Sequence, residues 1–371
     1  MKIFSFFSGS GFLDLGFETN GFEIVFVNEI DPEFMRAYQY SRQQIGMNPP
    51  VYGYDNGDIN AFLNEETKRN ELINNINAVK DSGELVGFIG GPPCPDFSVG
   101  GKNRGREGEN GKLSLSYINL IIQRQPDFFL FENVKGLWKT KRHRQFYDEL
   151  KIMLHNAGYK TTEKLVNALE FGVPQDRERI LLFGVKSELL DNSRRGGTLV
   201  DFPWQSRQIY TMEDINRYDW PEPQDFLEGG ERPMPSGIPR ELTVQHWFET
   251  NHVNTHPNAK HYFTPRAGLP KMQRYQEGDS SKKSYKRLHR WRYSPTAAYG
   301  NNEVHLHPYY ARRLSVAEVL AIQSLPENFV LPPDMSLTSM FKTIGNGVPY
   351  ILSSGIARTI NDYLLELNVR N

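Results

Sequence analysis

Three groups of residues in this chain stand where covalent or proton-transfer chemistry could be done. Cys94 lies in Gly90-Gly91-Pro92-Pro93-Cys94-Pro95-Asp96-Phe97-Ser98, just past the apolar run 85–89. It is the only cysteine of the chain, which excludes an internal disulfide framework and any zinc site built on several cysteines. Flanking prolines make the turn rigid, so a thiol there is held out at a strand end. It becomes a nucleophile where positive charge or a helix N-terminus lowers its pKa; a lone cysteine can equally be an inert, buried small hydrophobe. Phe131-Glu132-Asn133-Val134 ends another apolar run. Its carboxyl group could hydrogen-bond or protonate a ring nitrogen, whereas Asn133 could simply cap a helix. Gln175-Asp176-Arg177-Glu178-Arg179 precedes a third run, and strand alternation puts Gln175, Arg177 and Arg179 on one side. The guanidinium groups could grip a phosphate and a base carbonyl, or form a surface charge ladder of little weight.

A fourth signal concerns a cofactor. Residues 2–7 form an apolar run that enters Ser8-Gly9-Ser10-Gly11, and Glu29 ends the following run 22–28. Glycines let the backbone approach a ligand closely, and a carboxylate at the next strand end can hold ribose hydroxyls. The dinucleotide fingerprint G-x-G-x-x-G would need glycine where Asp14 stands. A nucleoside cofactor without a pyrophosphate, such as S-adenosylmethionine, suits this turn better than a dinucleotide. An ordinary glycine turn explains the same residues about as well, because short glycine motifs have high false-positive rates.

These residues need a scaffold that brings strand ends together. The runs at 2–7, 22–28, 85–89, 128–131 and 180–185 read as strands, and 12–20 reads as a helix. Strands separated by helix-length segments predict an α/β fold with a mostly parallel sheet covered on both faces, and ligands there bind at the carboxyl ends of strands. Residues 313–325 and 349–367 read as further helices. The chain has 371 residues, enough for two or three domains. A hydrophobic share of 38% with 23% charged residues argues against disorder along its length. No apolar run approaches the roughly 18 residues of a membrane helix, and the N-terminus breaks into Ser and Gly too early for a secretory signal. A soluble, cytoplasmic enzyme is expected.

The character changes between residues 186 and 309, which are rich in Pro, Gly, His and aromatic residues. Within 266–293 stand nine basic residues, Lys282, Lys283, Lys286, Arg287, Arg290 and Arg292 among them, against Glu277 and Asp279 alone. A local charge of +7 in a chain of net charge −1 marks a face for a polyanion. Segment 100–112 is glycine-rich and carries Lys102 and Arg104; it reads as a mobile basic loop or as plain solvated linker.

In order, FSGSGFLDLGF, NEID, GDI, GGPPCPDFS, FENV, QDRER and GNGVP resemble the DNA cytosine-5 methyltransferase family of the bacterial restriction–modification type. The resemblance covers residues 1–185 and about 294–371. It implies a Rossmann-like, S-adenosylmethionine-dependent methyltransferase domain built from 1–185 and 310–371. A smaller, irregular target-recognition domain would occupy 186–309. Phe7, Ser8, Gly9, Gly11, Phe12 and Leu13, then Glu29, Ile30, Asp58, Ile59, Pro93, Asn346 and Val348, would form the cofactor site. Cys94 would attack cytosine C6, Glu132 would bind N3 and the exocyclic amine, Arg179 the ring carbonyl, and Arg177 the backbone phosphate or the cysteine region. Ser98, Lys102, Arg104, Gln175 and the basic residues of 282–292 would contact double-stranded DNA. No metal is implied. The family often has Gln after its Pro-Cys pair and Gly in the first turn, where this chain has Pro95-Asp96 and Phe12; neither departure removes a catalytic group. A monomer, associated with the nucleoid through DNA and working beside a separately acting restriction endonuclease, completes the expectation. The rivals are a tRNA cytosine-5 methyltransferase on the same scaffold and a catalytically silent DNA-binding protein.

Overall fold

The computed structural model describes residues 1–93, 109–190, 199–265, 268–282, 285–296 and 304–370. Cys94, Ser98, Lys102, Arg104 and Lys283 lie outside them. The strands are β1 (Lys2–Phe6), β2 (Glu23–Asn28), β3 (Tyr54–Asp55), β4 (Val86–Gly90), β5 (Phe128–Val134), β6 (Tyr159–Asn167) and β7 (Glu178–Lys186), followed by β8 (Tyr285–Arg287) and β9 (Val304–Leu306). The first seven form one sheet in the order β3-β2-β1-β4-β5-β7-β6, and β8 pairs with β9. Pairing is parallel from β3 through β5. β7 runs antiparallel to both β5 and β6.

Side chains alternate across this sheet, so each strand feeds two cores. Ile3, Ile24, Val27, Ile89, Leu130 and Phe183 join one cluster, which the C-terminal helix Tyr350–Arg370 covers through Leu352, Ile356, Ile360 and Leu364. Phe4, Phe6, Phe26, Phe88, Phe131 and Leu182 join the other, beneath the helices Glu66–Asp81, Glu109–Arg124 and Lys141–Asn156. Both chain ends share the first face. The Ser353 hydroxyl donates to the Leu13 carbonyl at 2.6 Å. A Cβ at Gly16 would lie 2.1 Å from Ser353 Oγ, so the helix Phe12–Glu18 meets the C-terminal helix backbone to backbone.

The strand order has one topological switch point. After β1 the chain builds outward through β2 to β3, then returns to lay β4 on the other side of β1. Ligands bind in the crevice at such a point. The turn after β1 carries Gly9 and Gly11, and the turn after β4 carries Gly91, Pro92 and Pro93. β2 delivers Glu29 and β5 delivers Glu132 to the same edge. Because β7 is reversed, its beginning lies at this edge, with Arg179 opposite Val134 and Leu181 opposite Glu132.

The strand expectations hold with ends moved by one to three residues. Glu132 and Asn133 lie inside β5 instead of beyond it. Asn133 is no helix cap: its Oδ1 accepts from the Val134 amide at 2.9 Å, and its amide reaches the Pro92 carbonyl at 3.4 Å. The middle segment has short helices, Met212–Arg217, Val244–Thr250 and Leu269–Met272. It is packed onto the sheet domain by a mixed cluster in which Val244, Phe248 and Leu288 join Phe12, Leu15, Phe34 and Leu320. Residues Leu199, Phe202 and Trp204 belong to the first sheet core.

Candidate active site

At the cofactor end, the backbone takes left-handed conformations at Phe7, Gly9 and Gly11, with φ of 54°, 56° and 79°. Gly9 donates its N–H to Glu29 Oε2 at 2.8 Å, and Asp31 donates to Oε1 at 2.8 Å. Burial pushes the Glu29 carboxyl above its ordinary value, against those two backbone hydrogen bonds. Beside it, Ile30 leaves 61% of its surface exposed. A Cβ at Gly9 would meet only Thr343 Oγ1, at 3.9 Å. The turn therefore offers open space, a fixed carboxylate with spare lone pairs, and an exposed apolar face. Those features suit a nucleoside, with its ribose hydroxyls on Glu29 and its base against Ile30. Asp58 is exposed and accepts from the Asn60 amide at 2.9 Å. Ile59 is buried in the second sheet core, so its backbone alone faces outward.

Behind the turn lies a polar cluster that the sequence reading missed. Arg42 donates to the Gly11 carbonyl at 2.6 Å and pairs with Glu18 at 2.7 Å. Its guanidinium stacks over the Tyr38 ring at 4.4 Å. Asp14 accepts from Ser5 at 2.9 Å and from Tyr38 at 3.0 Å. Burial pushes the Asp14 carboxyl up to about 7, against the charge of Arg42. Gly11 has no room for a side chain, since a Cβ would fall 2.5 Å from the Tyr38 ring. Asp14 interrupting an apolar helix face was the one legible signal; its partner Ser5 lies on β1, while Tyr38 comes from the helix Pro32–Gln44.

The far end of the chain returns to this turn. Ser10 and Thr343 share a 2.6 Å hydrogen bond, and Lys342 lies 3.4 Å from Asp31. Asn346 is exposed, and Val348 is buried in the first sheet core. Phe12 stands in this turn with its side chain turned away from it. Its ring is 2% exposed and packs edge-on against Phe329 at 5.2 Å, so only its backbone is left to face a cofactor.

The opposite side of the switch point holds the acid and its arginines. Arg179 Nε lies 2.7 Å from Glu132 Oε1. A Cβ at Gly91 would be 2.6 Å from Glu132 Oε2, which puts the carboxylate directly over the turn that leads to Cys94. Burial pushes the Glu132 carboxyl above its usual range, while Arg179 and then Arg177 pull it back. Pro93 is exposed at the end of that turn.

Four residues expected to contact DNA or the cysteine region, Gln175, Arg177, Arg287 and Arg290, are buried. Arg177 is 1% exposed and donates to the carbonyls of Gly345 at 2.7 Å and Gly347 at 2.9 Å. It ties the base side of the site to the cofactor side and offers no surface to a phosphate. Gln175 is fully buried. Arg287 is fully buried and donates to the carbonyls of Tyr275, Tyr310, Met272 and His307. Arg290 is bonded twice to Glu277, at 2.7 and 3.0 Å, and once to the Gly230 carbonyl at 2.7 Å. Burial pushes the Glu277 carboxyl up, but Arg290 outweighs it and holds the group below its ordinary value. Two residues of the basic run, Arg287 and Arg290, thus build the interior. Lys282 is exposed, while Lys286 and Arg292 are half-buried. No cluster of three metal-ligating side chains occurs among the described residues, and no helix there is long and apolar enough to cross a membrane.

Glycine turns, a buried carboxylate and a buried acid–arginine pair stand across one switch point of an α/β sheet. Residues 1–362 match the family model of the C-5 cytosine-specific DNA methylase. The chain is 57% identical over 362 residues to the Type II methyltransferase M.NmeDI of Neisseria meningitidis serogroup C, covering 98% of this chain and 84% of the relative. It is 30% identical to the Type II methyltransferase M.NgoPII of Neisseria gonorrhoeae, over 98% of this chain and 96% of the relative. Among solved structures, the Entamoeba histolytica methyltransferase EhMeth aligns with a TM-score of 0.59 at 12% identity, covering 99% of this chain and 98% of that one. The S. pombe Dnmt2 methyltransferase aligns at 0.57 and 14% identity, with the same coverage. At such identity these two show the shared fold. The chain belongs to the C-5 cytosine-specific DNA methylase family. It is a DNA cytosine-5 methyltransferase with S-adenosylmethionine as methyl donor, on a Rossmann-like α/β fold.

Proposed function

We propose that this chain methylates C5 of a cytosine flipped out of a specific duplex sequence, through a covalent bond between Cys94 and C6. S-adenosylmethionine supplies an electrophilic methyl group on a positively charged sulfur. C5 of cytosine is a poor nucleophile until C6 is attacked. The Cys94 thiolate adds at C6, and the electron pair of the 5,6-bond moves onto the ring. Glu132 stabilises that charge by holding a proton at N3, for which its raised pKa suits it. Arg179, already fixed against Glu132, takes the ring carbonyl. C5 takes the methyl group as the sulfur departs as a neutral thioether; C5 then gives its proton to solvent, the 5,6-bond re-forms as the thiolate leaves, and the N3 proton returns to Glu132. C6 cannot be reached inside a stacked duplex, so the base must leave the helix.

The observation that carries this reading is Glu132: a buried carboxyl paired with Arg179, over the turn that precedes Cys94 and two strands from the cofactor turn. Residues 186–309 serve as the target-recognition domain against the catalytic unit 1–185 and 310–371, with Lys282, Lys286 and Arg292 toward DNA. The Type II relatives support a restriction–modification role, with the chain acting as a monomer in the bacterial cytoplasm and an endonuclease acting separately. The test is methyl transfer to duplex DNA and to tRNA, followed by bisulfite sequencing. One protected cytosine context in duplex DNA, with tRNA unmodified, is expected. Methylation of tRNA alone would overturn the duplex reading.

A further inference from the structure

We propose that Phe12 and Gly347 are a matched pair of positioning residues that sets the shape of the cofactor site. The proposal rests on S-adenosylmethionine occupying the Gly9–Gly11 turn. Gly347 follows the helix Leu337–Asn346 with φ −62° and ψ 150°, a conformation open to any residue. Its backbone therefore does not require glycine; the space does. A Cβ at Gly347 would lie 2.2 Å from Phe12 Cδ2 and 2.8 Å from Cε2. The ring cannot easily turn aside, because its other contact is Phe329, edge-on at 5.2 Å, and it is buried in a shared cluster.

Both partners border the site. Phe12 directly follows Gly11, whose left-handed conformation shapes the cofactor turn. Gly347 stands between Asn346 and Val348, and its carbonyl accepts from Arg177. Arg177 in turn pulls down the Glu132 carboxyl. A shift of a few tenths of an ångström at Gly347 therefore moves the cofactor wall and the Arg177 anchor together. The bulky residue in the first turn is tolerated because a bare backbone faces it from the last motif.

Calorimetric titration of S-adenosylmethionine into the protein without DNA tests this, using wild type, Gly347→Ala, Phe12→Ala and the double variant. Overpacking against a fixed ring should weaken binding by about tenfold or more in Gly347→Ala. The double variant should bind more tightly than Gly347→Ala, because the space is restored, and kcat at saturating cofactor should recover with it. Gly347→Ala within about twofold of wild type would overturn the pairing, as would single effects that simply multiply in the double variant. If Gly347→Ala does not fold, the double variant is compared with Phe12→Ala: equal affinity supports the pair, and a further loss of about tenfold overturns it. A wild type that bound no S-adenosylmethionine would overturn both the cofactor assignment and the pair. One that binds but shows no coupling overturns the pair alone.

Discussion

Single side chains here are governed by burial more than by their chemical type. Asp14 is the clearest case: fully buried, with Ser5 and Tyr38 as partners, it is pushed up to about 7. In the unfolded chain it titrates near its ordinary 3.8. Between those values the folded protein keeps a proton that the unfolded chain has lost, so this group's contribution to stability falls as pH rises through the window. A rise of about three units corresponds to at most about 4 kcal/mol. Asp14→Asn removes that titration. Urea unfolding at pH 5 and pH 8.5 should show the variant gaining on wild type at the higher pH; a difference independent of pH would contradict the assignment. The sequence marked Cys94, Glu132 and Glu29 as candidates because each follows or ends an apolar run, and Arg179 because it immediately precedes one. It could not display Arg42 or Glu18, whose roles arise from a contact between separate helices.

Elements decide which charges are free. The run 266–293 was readable as basic, and its total charge pointed to DNA. What the run could not show is that β8 turns Arg287 inward and that Glu277 captures Arg290. Arg287→Gln should destabilise the protein by about 3 kcal/mol or more, because several buried carbonyls lose their donor. Urea or thermal unfolding reads that loss. Lys282→Gln with Lys286→Gln should leave the unfolding transition in place and reduce the log–log salt slope of DNA binding by up to about 1.8, at about 0.9 per phosphate contact. An unchanged slope would place the DNA face elsewhere. Strand legibility follows the same logic. β1, β2, β4, β5 and β7 are buried on both faces and read as apolar runs. β6 is an edge strand of alternating Thr, Lys and Glu, and β3 has two residues; neither carries a hydrophobic signal. The antiparallel direction of β7 has no signature in its own residues, yet it is what brings Arg177 and Arg179 to the ligand edge.

At the scale of the molecule, the fold is a device for convergence. The described residues of short motifs spread over the chain meet at one switch point, and the C-terminal helix closes the sheet beside the N-terminal turn. The sequence order of those motifs made the convergence readable, since strands alternating with helices predict a parallel sheet whose ends meet. The central claim is that Cys94 bonds to C6 before the methyl group moves. A duplex with 5-fluorocytosine at the target tests it, because fluorine cannot leave C5 as a proton does. The protein should methylate that base and then remain bonded to it, giving an adduct that survives denaturing electrophoresis. It should require S-adenosylmethionine, vanish in Cys94→Ala, and form more slowly in Glu132→Gln, where ring charge is less stabilised. Full activity on ordinary DNA with no adduct on the fluorinated duplex would contradict the covalent mechanism.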